Sequence, residues 1–201
     1  MINLYDYKIF SKNSSSLKKT SKNDADKKSI VYMTSSKINV IDFDGVKNDY
    51  IANLKLSDTP KSNDALFAGK AELFFIEFKN GNMKNELYKV KRKIFDSLLI
   101  FTDIVCKGVS YTRQKVNYIL VYNKENSKEY IESLRNKLEK DEVHDARNYD
   151  KIMNSLSQFA NIELDIFGLR NQFEKLYFKE VYTYTEQEFE EKFVKQYETN
   201  I

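Results

Sequence analysis

Apolar positions along this chain follow two periods, and together they predict an alternation of strands and helices. Two short runs, Ala65-Leu66-Phe67 and Leu73-Phe74-Phe75-Ile76, flank a turn containing Gly69-Lys70, as two neighbouring strands joined by a tight connection do. After the turn signal Asn80-Gly81-Asn82, the residues Leu87, Val90, Ile94, Leu98, Phe101 and Val105 recur every three or four positions. That spacing predicts a helix over 84–106. Residues 116–122, V-N-Y-I-L-V-Y, form a bounded β-branched and aromatic run and read as a buried strand. Phe178 to Tyr184 reads as a late strand.

Weaker signals fill the gaps. Ile38, Ile41, Val46, Tyr50, Ile51 and Leu54 suggest an amphipathic helix over 42–55, weakened by Gly45. A helix over 127–140, capped by Ser127, turns Tyr130 or Ile131, Leu134 and Leu138 inward. Another is expected over 151–159, and a terminal acidic helix starts at Thr185-Glu186-Gln187-Glu188 with Phe189, Phe193 and Tyr197 four apart. A strand–helix–strand crossover from about 72 to 122 favours a parallel pair, and the hairpin beside it makes the sheet mixed. We therefore expect an α/β or α+β domain of three layers, a mixed central sheet flanked by helices.

Residues 1–10 read as a short strand or helix, and Ile30-Val31-Tyr32-Met33 as a short strand or a helix start. Between them, residues 11–29 contain one leucine among Ser, Lys, Asn and Asp. Such composition buries too little to offset its ordering entropy, so 1–29 is expected to be an N-terminal segment with a flexible linker, and 30–201 a single domain.

With 41% hydrophobic and 31% charged residues in 201, the composition is that of a globular protein. No apolar run approaches the roughly 18 residues that cross a bilayer. The N-terminus shows neither a basic start nor a long apolar core, so a cytoplasmic location without a membrane partner is expected. One cysteine, Cys106, and one histidine, His144, exclude an intramolecular disulfide and a four-ligand zinc site. His144 lies in the polar stretch E-V-H-D-A-R, and the five glycines are scattered, so neither a Ser-His-Asp arrangement nor a phosphate-cradling loop is expected. Carboxylates and lysines remain for chemistry.

Charge narrows the location. Residues 1–60 carry 10 Lys/Arg against 7 Asp/Glu, 61–125 carry 12 against 7, and 126–201 carry 11 against 16. The basic excess thus lies around the hairpin, where a polyanion would approach. Asp64 stands at the front of the first run, and Glu77 and Lys79 alternate with Phe78 at the end of the second, sharing one face. Phosphodiester hydrolysis needs charge neutralisation at the phosphoryl oxygens and a source of hydroxide, and Mg²⁺ held by a few carboxylates supplies both. Asp64 and Glu77 would be two such ligands and the Phe78 backbone carbonyl a third. Lys79 could orient or deprotonate the attacking water or stabilise the oxyanion. Asp42, Asp44 and Asp49 are candidates for one further acid, beside the reading as helix-start and surface acids.

Asp64, twelve intervening residues and then Glu77-Phe78-Lys79, in a strand–turn–strand followed by a long helix, resembles the PD-(D/E)XK superfamily of restriction-endonuclease-like nucleases. The resemblance covers about residues 40–125, with its specific part in 64–79. It implies a restriction-endonuclease-like core, Asp64 and Glu77 as metal-binding acids and Lys79 as the catalytic lysine. It also implies Mg²⁺ or Mn²⁺ as cofactor and nucleic acid, DNA first, as partner, with a homodimer left open. One departure is that Asn63, not a proline, precedes Asp64, the nearest proline being Pro60. Other readings stay open: an inactive nuclease-like module that binds nucleic acid or protein, an interaction protein docking through its acidic C-terminal third, and a surface hairpin whose Glu77 and Lys79 form an ordinary ion pair.

Overall fold

The structure, a computed structural model, describes residues 2–23, 30–143 and 165–198. His144 and the helix expected over 151–159 lie outside the described residues. The strands are β1 (Ser14–Ser16), β2 (Lys22–Asn23), β3 (Val31–Tyr32), β4 (Asn39–Asp42), β5 (Ala65–Ala68), β6 (Leu73–Lys79), β7 (Val116–Tyr122) and β8 (Val181–Thr185). Six of them form one sheet in the order β1-β4-β5-β6-β7-β8, and β2 pairs with β3 separately. The β1-β4, β4-β5 and β5-β6 pairs are antiparallel, whereas β6-β7 and β7-β8 are parallel. The fold is α+β with a mixed central sheet.

Period-two alternation along β6 sorts its side chains between two cores. Leu73 and Phe75 face a cluster that includes Val90, Ile94, Leu98 and Phe101 of helix Met83–Ile104. Phe74, Ile76 and Phe78 face the opposite cluster, where Phe189, Phe193 and Val194 cover the sheet. Helices therefore lie on both faces, and the sheet is the middle layer. The long helix is the crossover between parallel β6 and β7, followed by a short helix Val109–Lys115 that the sequence reading did not expect.

Three expectations change. The segment read as a linker is ordered in its described part. Helix Lys8–Lys12 leads into β1, which pairs with β4, and Leu17 of helix Leu17–Thr20 is fully buried. Backbone pairing needs no apolar side chains, so three serines can edge the sheet while Phe10 and Leu17 anchor the chain on either side. The expected helix over 42–55 is shorter, Phe43–Ile51: β4 takes Asp42 at its start, and at its end the chain passes into i→i−3 turn bonds, Ala52 N–H to the Asp49 carbonyl and Leu54 N–H to the Ile51 carbonyl. Asp42 caps it by accepting from the Gly45 N–H. Gly45 sits where a Cβ would fall 2.2 Å from Asn13 Oδ1, so the glycine lets the first helix pack closely. Finally, the helix expected from Ser127 begins at Lys124, with the Asn123 side chain accepting from the Asn126 N–H at 2.9 Å. Ser127 is instead buried inside it and accepts from the Met83 N–H.

The acidic C-terminal stretch is part of the core layer. Thr185 and Glu188 form a reciprocal capping box at helix Glu186–Phe189, which runs on through a π-type turn, Glu190–Val194, into Lys195–Glu198. Among the described residues no helix is long and apolar enough to cross a membrane.

Candidate functional site

The loop after Pro60 is fastened to the long helix before it enters β5. The Lys61 N–H donates to Asp96 at 2.8 Å, and the Asn63 N–H donates to the buried Ser97 hydroxyl at 2.7 Å. The Asp64 carbonyl accepts from the Phe43 N–H, which ties the same point to the start of helix Phe43–Ile51. Asp64 thus arrives at the mouth of the hairpin with its backbone held from two sides.

Backbone ladder bonds between β5 and β6 end at Ala65 opposite Ile76. Past that point the Phe78 N–H would be left over, and the Asp64 carboxylate takes it, Oδ2 accepting at 2.7 Å. In an antiparallel pair, a residue's N–H and carbonyl leave the strand on the same side. The Phe78 carbonyl therefore faces the edge where Asp64 stands. Its ring points to the other face, edge-on to Phe189 with centroids 5.5 Å apart.

Glu77 and Lys79 share the face toward the long helix, as alternation predicts, with Lys79 Nζ 2.8 Å from Glu77 Oε1. Lys93 joins them from the helix. Its ammonium lies 2.7 Å from the same Glu77 oxygen and 2.9 Å from Asp64 Oδ1. Both acids therefore share one cation, and a single ammonium spans them. Glu86, also on the helix, lies 3.7 Å from Lys79.

Electrostatics here is set by burial. Glu77 is 0% exposed, and its Oε2 makes no hydrogen bond among the described residues. Removal from water pushes its carboxyl up to about 7, with the nearby Asp64 charge adding to the rise. The two ammonium groups oppose that shift without cancelling it. Lys93, in contrast, is held protonated well above the usual lysine range, since its two carboxylate partners outweigh its own desolvation. Tyr118, fully buried on neighbouring β7, is pushed up by burial and then by Glu77 and Asp64.

A pocket of about 360 Å³ opens against this cluster, lined by Asp44, Asp64, Phe78, Lys79 and Glu86 among others. Of the three further acids, only Asp44 reaches it, and its carboxylate accepts from the Ser62 hydroxyl. Asp42 serves as the helix cap. Asp49 is turned away, 2.9 Å from Lys12 and accepting from Asn13. Among the described residues no three His, Cys, Asp or Glu side chains are placed to hold a metal ion together.

Asp64, Glu77 and Lys79 are thus brought together, with the Phe78 backbone beside them. Sequence reasoning did not single out Lys93, Glu86 or Ser97. Their signal was positional: Glu86, Val90, Lys93 and Ser97 recur at helical spacing within the apolar stripe, so polar residues occupied its sheet-facing side. On the same helix Lys89 pairs with Glu86 and Arg92 with Asp58. No protein-family model matches the sequence, and no match is found among curated proteins or solved structures.

Proposed function

We propose that this protein is a divalent-metal-dependent endonuclease that hydrolyses phosphodiester bonds of DNA in the cytoplasm. The observation that carries this reading is the convergence of Asp64 and Glu77 on one shared cation position beside Lys79 and an open pocket. Two carboxylates that already hold a cation between them suit Mg²⁺ or Mn²⁺, which take one or two carboxylates and complete their shell with water and substrate oxygens. Asp64, Glu77 and the Phe78 carbonyl would hold the ion. When bound, it neutralises phosphoryl charge and lowers the pKa of coordinated water. Lys79, anchored at 2.8 Å by Glu77, presents its ammonium at the pocket wall, where it stabilises developing negative charge on the phosphoryl oxygens. Asp64, fixed by the Phe78 N–H, keeps the acid pair in register with the strand.

Lys93 also favours a second reading. It already pairs with one oxygen of each acid, as in a nuclease-like module that binds nucleic acid without cutting it. The two readings separate on incubation of purified protein with plasmid, linear and single-stranded DNA and with RNA. Catalysis predicts Mg²⁺-dependent cleavage that chelator, Asp64→Ala and Lys79→Ala each abolish. A binding module gives salt-sensitive DNA binding, indifferent to chelator and to Glu77→Ala, with no cleavage.

A further inference from the structure

We infer that Lys93 is the resident counter-ion of the acid pair, which a divalent ion must displace, so that metal and nucleic acid load the site together. This inference rests on the nuclease reading and goes further by assigning the regulation of its metal site. The Lys93 ammonium lies 2.9 Å from Asp64 and 2.7 Å from Glu77, the contacts that a metal ion held by these acids would need. Its side chain is 17% exposed, so the ammonium can turn toward solvent without unfolding the helix that carries it. Glu77 has no such exit.

Charge makes the displacement cooperative. Asp64, Glu77, Lys79 and Lys93 carry two negative and two positive charges, so the closed cluster offers a phosphate no net attraction. A divalent ion adds two positive charges at a place shielded from water, and the freed ammonium remains tethered at the edge of the pocket. A phosphodiester, with its single negative charge, offsets part of this excess. Each ligand then strengthens binding of the other by the same factor.

The test is Mn²⁺ titration of the full chain at pH 8, followed by electron paramagnetic resonance, for the native protein, Lys93→Met and Lys93→Gln. Removing the resident cation is expected to tighten Mn²⁺ binding roughly tenfold or more, and to make Mn²⁺ raise the melting temperature of the variants more than that of the native protein. Melting in chelator checks that each variant folds, and Lys93→Gln keeps a polar group if the methionine is not tolerated. Equal Mn²⁺ affinity in native and variant proteins overturns the role of Lys93 and leaves the nuclease reading standing. Absence of Mn²⁺ binding in every folded protein overturns both.

Discussion

The Asp64 carboxylate accepts the Phe78 N–H at 2.7 Å, so a side chain continues the β5–β6 ladder where the β5 backbone stops. The same carboxylate meets the Lys93 ammonium through its other oxygen. One residue therefore closes the sheet and supplies half of the acid pair, which makes its structural and chemical roles separable by substitution.

Asp64→Asn keeps an acceptor for the Phe78 N–H, whereas Asp64→Ala leaves that N–H without one. Losing the acceptor costs about 1–3 kcal/mol when the donor is shut from water. In urea unfolding, Asp64→Ala is expected to be less stable than Asp64→Asn by about that amount, with both lacking Mg²⁺-dependent cleavage. Equal stabilities would show that the Phe78 contact contributes nothing.

Glu77 gives a pH signature. Its carboxyl rises from 4.5 to about 7 on folding. Between those values the folded state binds more protons than the unfolded state, so stability falls as pH rises through the window and levels off above it. Lys93 acts in the opposite range, its stabilisation being present below the unfolded lysine pKa and lost only in strong alkali. Relative to Glu77→Gln, the native protein should therefore lose up to about 3 kcal/mol between pH 5 and pH 8. Metal loading uses the ionised carboxylate, so cleavage should rise over the same interval. Parallel stability profiles for the two proteins would contradict the buried-carboxylate account.

Leu17 tests the N-terminal segment. Its side chain is fully buried in the core cluster that includes Ile38, Val40 and Phe67. Leu17→Ala is expected to cost roughly 2–5 kcal/mol in denaturant unfolding, as large-to-small core changes do. A change within about 0.5 kcal/mol is the outcome for an exposed linker residue.

Which parts of this molecule were legible in the sequence follows from what holds each part. The strand at 116–122 and the helix at 83–104 are stabilised by their own apolar side chains, and their periodicity located them within a residue or two. The hairpin was legible for the same reason, and with it Asp64, Glu77 and Lys79. β1 was not, because Ser14, Ser15 and Ser16 are held by backbone bonds to β4, which leave no hydropathy signal. β4 was not read as a strand, and its Ile41 was counted with the apolar pattern of the expected helix, since four residues are too few to show a period. Lys93 sits among Lys89, Lys91 and Arg92 in the sequence, which gives no sign of its separate role. Only the packing of the helix on β6 turns that one lysine inward.

The most direct test of the account is anomalous diffraction from crystals of the full chain grown or soaked with Mn²⁺ at pH 8. The account predicts an anomalous peak in contact with the carboxylates of Asp64 and Glu77, with the Lys93 ammonium moved off both. Saturating Mn²⁺ with no peak there, and Lys93 still bridging Asp64 and Glu77, would contradict it.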